Sequence, residues 1–354
     1  MDNLTCVKYN DSIHKDIWEQ FVKTGVLGTI YHTRKFMSYH PHDRFEDNSL
    51  LLYANGELVC VVPACRKKEV GFTGCTIFHS DGDISIDPEE LSTPYRGNYN
   101  PYFSYMGSTY GGPVFLKKYF QTKYVMVMID HIFQYYNNNI EFRMANDIYY
   151  DDNVFMVYSI LATKRTMIPE MSWYIRTGDN FIDNMLDKRN RSYLKKTITN
   201  KDIKCYKTHS EDVYKQFYTI LHNNLKKNHD TTPTHTLEEF MDIKNILENN
   251  AALYVVENIQ TNQLYGGVYV IKVTNNCWYT FYISRNVDIE DTCARVSVPY
   301  LMCTISNDAA KEGVKYLDYG ICTEDRGKLV NIGLAEFKEK VLGGHASARY
   351  LFVS

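Results

Sequence analysis

Apolar and polar positions along the chain follow two rhythms, a period of two and a period near four. Both recur in the same order in each half. Thr5 to Tyr9 reads as a short strand, and Asp11-Ser12 offers an N-cap to a helix. Ile13, Ile17 and Phe21, spaced i, i+4, i+8, predict the apolar face of that helix. Ile203 to Lys207 repeats the strand, and Ser210 opens a helix carrying Val213, Phe217, Ile220 and Leu221. Cys6 and Cys205 are 199 residues apart, as are Trp18 and Phe217. A long internal repeat is therefore expected.

The correspondence continues downstream. His32-Thr33 followed by Phe36-Met37 matches His235-Thr236 followed by Phe240-Met241, and Thr236-Leu237-Glu238-Glu239 reads as a capping box. Ser49 to Tyr53, a turn at Asn55-Gly56, and Leu58 to Cys65 predict a hairpin. Its counterpart is Ala252 to Glu257, a turn at Gln260 to Asn262, Leu264 to Val273, and a third strand from Cys277 to Ile283. Each half closes with a helix and a strand: Tyr124 to Tyr136 then Ile140 to Ala145, and Ser297 to Lys311 then Val314 to Ile321. The pattern predicts an α+β unit present twice, residues 1–165 and 166–354, each a mixed, mainly antiparallel sheet flanked by helices. Trp173 to Arg176 could pair into either sheet.

Composition narrows the class. The 354 residues are 44% apolar and 14% aromatic with a net charge of −3, which suits two folded domains and excludes a generally basic nucleic-acid coat. No apolar run is long enough for a bilayer and Met1 to Tyr9 has no signal-peptide pattern, so a cytoplasmic protein is expected. The nine cysteines are scattered without a C-x-x-C pair, and His40-Pro-His42 has no acidic or thiol neighbours at ligand spacing, so no metal site is expected.

The doubled order of elements resembles the GNAT acyltransferase fold in its tandem, FemAB-like form, which includes the Fem-type peptidyltransferases. In the first half the resemblance rests on Leu58 to Ala64 and on Gly107-Ser108-Thr109-Tyr110-Gly111-Gly112-Pro113-Val114. In the second it rests on Pro233 to Thr236, Tyr279 to Ser284, Gly313 to Gly320, Gly333 to Lys338 and Gly343-Gly344. It implies two neighbouring parallel strands that part and leave backbone groups free for an extended substrate. It also implies a loop of amide N–H groups for a donor pyrophosphate. That loop should fall between Ile283 and Ser297. Arg285 to Arg295 has no glycine there and three acids, which would repel a pyrophosphate. FemAB-like proteins share this departure, and the Fem enzymes take an aminoacyl group from tRNA. Acyl-CoA and aminoacyl-tRNA both remain open as donor.

Site residues follow from the same two sources. The dense basic segment from Lys188 to Lys207 includes Arg189, Arg191 and Lys195. It is either a solvated helix face or an anion site for a nucleotide-sugar diphosphate, CoA phosphates or tRNA, with Arg295 as a further contact. Phe337-Lys338 matches the Phe-Lys pair of Fem-type enzymes, which implies that Lys338 stabilises a developing oxyanion. Asp318 lies on an inward strand face, as a general base or as a structural partner of a cation or helix end. Gly107, Tyr110, Gly111 and Gly112 allow close backbone approach before Pro113 and an expected helical stretch. Tyr282, His235, Arg349 and Tyr350 are weaker candidates. The resemblance implies an N-acyltransferase acting on an amine of a peptidoglycan or polysaccharide precursor, an anionic, nucleotide-linked small molecule, held between the halves. The rivals are an acetyl-CoA-dependent sugar or small-amine acetyltransferase and a catalytically silent binding module. The last would be favoured if Lys338 and Asp318 point into packed core.

Overall fold

A computed structural model describes residues 3–41, 44–67, 101–105 and 108–354. They fall into two compact units, one built from the chain up to Glu170 together with Arg349–Ser354, the other from Met171–Ala348. A division at 165/166 leaves 166–170 and 349–354 with the second half. In the structure Glu170 and Arg349 are ion-paired in the first unit, and Phe352 is buried in its core.

The first unit opens with β1 (Leu4–Lys8) and α1 (Asp11–Thr24). The N-cap of α1 is Asn10, whose side chain accepts from the Ser12 N–H, one residue ahead of the expected Asp11-Ser12 cap. Its buried stripe is Trp18, Phe21 and Val22, while Ile13 and Ile17 are 72% and 41% exposed. The tryptophan decides the rotation. Its indole N–H donates to the His32 carbonyl at 2.7 Å, and its rings fill space that the isoleucines could not. Thr33 caps the short α2 (Arg34–Met37) by accepting from the Phe36 N–H.

Strands β2 (Phe45–Asp47), β3 (Leu50–Ala54), β4 (Glu57–Val62), β5 (Cys65–Lys67), β6 (Tyr102–Phe103), β7 (Val114–Phe115) and β8 (Ile140–Met144) form two sheets. One has the antiparallel order β1-β3-β4-β7. In the other, β2, β5 and β6 lead to β8, with β6 and β8 parallel. Alternation along β3 sends Leu50 and Leu52 to one core and Leu51 to another. The first core includes Val125, Met128, Ile129 and Ile132 of α3 (Thr122–Tyr135), and Val157 and Leu161 of α4 (Val154–Ala162). The second packs against α1.

β9 (Thr166–Arg176) leads into the second unit. After α5 (Phe181–Asn184) and α6 (Lys188–Thr199) come β10 (Ile203–Thr208), α7 (Glu211–His229) and α8 (Leu237–Leu247). Thr236 and Glu239 form the anticipated capping box of α8, so the two His-Thr pairs of the repeat are both helix starts. The sheet continues with β11 (Ala251–Asn258), β12 (Gln263–Lys272) and β13 (Cys277–Arg285), all antiparallel. α9 (Thr292–Arg295) and α10 (Ser297–Lys311) then lead to β14 (Tyr316–Ile321), parallel to β13 and antiparallel to β9. α10 buries Leu301, Met302 and Ile305 with Val256, Val268 and Trp278 of the sheet. The opposite face carries interlocked rings of Tyr214, Phe240, Tyr269, Phe281 and Tyr282. A small hairpin of β15 (Thr323–Glu324) and β16 (Leu329–Val330) precedes α11 (Ile332–Glu336) and a π-helical turn, Phe337–Val341. β17 (His345–Val353) ends by pairing with β8 through Tyr350 to Phe352.

Candidate functional site

The parallel pair β13/β14 is hydrogen-bonded over three positions only, ending at Tyr279 opposite Asp318. β13 then runs on to Arg285 without β14 beside it. On the other edge of β14, the register with β9 shifts between Asp318 and Ile321. Asp318 is thus the last regular residue on both sides of its strand, at a fork in the sheet.

The fork is built by a glycine. Gly320 has φ +75°, a left-handed conformation that a side chain resists, and it turns the end of the strand out of the ladder. The fully buried Asp318 carboxylate accepts from the Gly320 N–H at 2.7 Å and from Ser172 Oγ at 3.0 Å. Thr280 Oγ1 donates across the fork to the Asp318 carbonyl at 3.1 Å. On the far side of the glycine, the Lys338 ammonium donates to the carbonyls of Gly320 (3.0 Å) and Ile321 (2.6 Å). Lys338 is only 4% exposed. It sits in the π-helical turn, where the extra residue per turn redirects a side chain, and the Gly344 N–H caps its carbonyl at 2.9 Å. Phe337 packs half-buried against the core that α10 forms with the sheet of the second unit. Lys338 and Asp318, distant in sequence, therefore grip opposite sides of one residue.

A second group of expected residues meets at the start of α6. Its N-cap, Asp187, accepts from the backbone and side-chain amides of Asn190, whose Oδ1 accepts from Arg295 Nε at 3.2 Å. Arg189 Nε donates to the Tyr193 hydroxyl at 3.0 Å. That bond, then the charges of Arg189, Arg295 and Lys196, hold the Tyr193 pKa below its usual value. Arg189 and Arg295 thus share one exposed face. Arg191 is turned away from it to the Met185 carbonyl, and Lys195 is exposed. Asp291 caps α9 by accepting from the Ala294 N–H at 2.7 Å, so a carboxylate already occupies that helix start.

The remaining candidates are placed differently. The Tyr282 hydroxyl lies 2.7 Å from His235 Nδ1 and accepts from the His235 N–H, and burial pushes its pKa upward. Tyr110 is buried in the first unit, edge-on to Tyr31 and Tyr149, with the Arg349 guanidinium 5.8 Å from its ring centre. The Gly111 N–H donates to the Arg143 carbonyl, and a Cβ at Gly111 would lie 2.0 Å from the Ser104 carbonyl oxygen. At Gly112 it would lie 2.2 Å from the Met144 sulfur. These glycines let their segment press against β6 and β8. The segment continues into β7, not a helix, because Val114 and Phe115 pair with Val61 and Cys60. Gly107 lies outside the described residues. Arg349 pairs with buried Glu170 at 2.6 Å, and Tyr350 packs against the Tyr158 ring.

Ser172, Thr280 and Gly320 were not anticipated. A single glycine inside the strand pattern Val314 to Ile321 was the available signal, because such a residue marks a bulge. Among the described residues, no cluster of three or more His, Cys, Asp or Glu could hold a metal, and no helix is long and apolar enough to cross a membrane.

Neither a family model nor a curated protein sequence matches the chain. Among solved structures it is similar to FemX, with a TM-score of 0.64 and 13% identity over 98% of this chain and 97% of that one. It is also similar to L-PGS from Bacillus licheniformis, with a TM-score of 0.54 and 9% identity over 96% and 91% of the two chains. A tandem GNAT protein from the clavulanic acid biosynthesis pathway matches with a TM-score of 0.50 and 7% identity over 99% and 98%. The chain has the tandem GNAT fold, and the expected α+β class with two such units in series is what it adopts.

Proposed function

We propose that the protein is an N-acyltransferase that moves an aminoacyl group onto an amine of a peptidoglycan or polysaccharide precursor. The observation that carries this is the buried Lys338 ammonium at the point where β13 and β14 part. The likeness in fold to FemX and the Phe337-Lys338 pair support it. In the reaction, the acceptor amine attacks the ester carbonyl of the donor and a tetrahedral oxyanion forms. The C–O ester bond then breaks, and the leaving hydroxyl takes up the proton given up by the amine. A fixed cation beside the oxyanion lowers that barrier, and removal of one such donor costs roughly 100- to 1,000-fold in rate. Asp318 is bonded as a structural carboxylate, so the amine proton leaves by another route. The preference for an aminoacyl donor over acyl-CoA is supported by the Asp291 carboxylate at the start of α9. Arg189 and Arg295 would take the anionic part of a nucleotide-linked acceptor, or of a tRNA.

The test is transfer by the purified protein from mixed aminoacyl-tRNAs, or from acetyl-CoA, to amine-bearing nucleotide-linked precursors, read by mass spectrometry. Transfer from aminoacyl-tRNA that Lys338→Met lowers about 100-fold or more is the expected result. Full activity of a folded Lys338→Met protein would refute the role of the lysine. Transfer from acetyl-CoA alone would establish the sugar or small-amine acetyltransferase. A silent binding module is the second reading, favoured by the burial and hydrogen bonding of both Lys338 and Asp318. It predicts precursor binding with no transfer from either donor.

A further inference from the structure

The pairing of three strands, β9, β13 and β14, is interrupted around Gly320. The β13/β14 ladder ends at Asp318, the β9/β14 register slips between Asp318 and Ile321, and the glycine is left-handed. Such a kink in a buried strand leaves backbone groups that must be satisfied elsewhere. Here two charged side chains do so from opposite directions. Asp318 takes the N–H that precedes the glycine Cα, and Lys338 takes the carbonyl that follows it and the next one. Two carbonyls converge on one ammonium only because the glycine is turned. The direction of those carbonyls is therefore set by whatever fixes the Gly320 N–H.

We propose that Asp318, oriented by Ser172, is a positioning residue for Lys338. Its carboxylate clamps the Gly320 bulge so that the Gly320 and Ile321 carbonyls hold the ammonium at the fork. Three features fit this role better than that of a proton acceptor. The carboxylate is fully buried, and the oxygen that accepts from Gly320 also accepts from Ser172 on the adjacent strand. Its own carbonyl is tied to Thr280 across the fork, so the strand is fixed on both edges at this residue. The proposal borrows from the transfer reading only the idea that the lysine serves a reaction. Its geometry and its test stand without a substrate.

The experiment follows the lysine itself. Protein labelled with carbon-13 at lysine Cε is observed by NMR, and the Lys338 signal is identified by its loss in Lys338→Arg. In the native protein that signal should stand apart from the exposed lysines, because two carbonyls hold the buried ammonium. In Asp318→Ala it should collapse toward them, because the freed bulge releases those carbonyls. Asp318→Asn keeps an oxygen for the Gly320 N–H and should keep the separated signal, and Ser172→Ala should displace it by a smaller amount than Asp318→Ala does. A merely structural role would lower stability and leave the lysine signal in place. An unmoved signal in folded Asp318→Ala overturns the proposal. If the alanine variant does not fold, an unmoved signal in Ser172→Ala overturns it equally. If transfer is never found, these outcomes still decide the positioning.

Discussion

Gly320→Ala perturbs the fork at one atom. A left-handed conformation costs an ordinary L-residue about 1–2 kcal/mol. Alanine also restricts the unfolded chain, which offsets about 0.4–1 kcal/mol of that loss. The new Cβ would stand 3.1 Å from the Tyr279 hydroxyl oxygen, close enough that the ring must shift by a few tenths of an ångström. The net expectation is a destabilisation of roughly 1 kcal/mol from the backbone, with a further increment from the tyrosine contact. Tyr279→Phe removes that oxygen but keeps the ring carbon 3.3 Å from the new Cβ, so the double variant should recover part of the increment and leave the backbone part. With two units in one chain, a single global unfolding midpoint is ill-defined. The measurement is therefore native-state hydrogen exchange of the peptide covering Tyr316–Ile321, as a function of urea. Loss of protection there, with the first unit unchanged, is the expected result. An alanine variant within about 0.3 kcal/mol of the native protein would mean that the left-handed turn is not needed in solution, and the description of the fork would fail.

Two further predictions concern the first unit. The Glu170–Arg349 pair is buried at 2.6 Å, so Arg349→Met alone should cost about 3–5 kcal/mol by taking this cation from a buried carboxylate, whereas Glu170→Met/Arg349→Met should recover much of the loss. Native-state hydrogen exchange of first-unit peptides in the three proteins checks this, and equal damage in single and double variants would refute it. His32 is fully buried, and burial lowers its pKa to about 4, against partial opposition from the backbone of Gly112 and Gly111. The unfolded chain then binds a proton near pH 6.5 that the native state refuses. Its contribution is complete above that pH and is lost as pH falls toward 4, on the order of 3 kcal/mol in all. Urea stability between pH 7 and pH 4 should fall less steeply in His32→Gln, and parallel profiles would contradict the burial argument.

Much of the fold was legible because the repeat is written in apolar spacing. The helix Ser297–Lys311 and the capping box at Thr236 stand where the pattern puts them, since each depends on neighbours within a few residues. The face of α1 was not legible. Spacing alone favoured Ile13 and Ile17, and only the burial of Trp18 beneath the His32 carbonyl settles the rotation. The candidate site divides in the same way. Lys338 and Asp318 could be singled out by type and by resemblance, but their relation depends on the backbone angle of Gly320. Arg189 and Arg295 are brought to one face by the packing of α9 against α6, a contact that no local pattern announces.

The return of Arg349–Ser354 to the first unit has a consequence for how the chain is made. Phe352 belongs to the same core as Leu50 and Ile129, and the strand edge of β8 receives Tyr350 to Phe352. During synthesis that core waits for residues translated some two hundred positions after β8, when the residues of the second unit have already been made. The order of completion is then the reverse of the order of appearance, with the unit begun earlier closed by a segment made after the second unit. A ribosome stalled before residue 349 would hold a first unit with an open sheet edge and a vacant place in its core, a state open to proteases and to pairing with other strands.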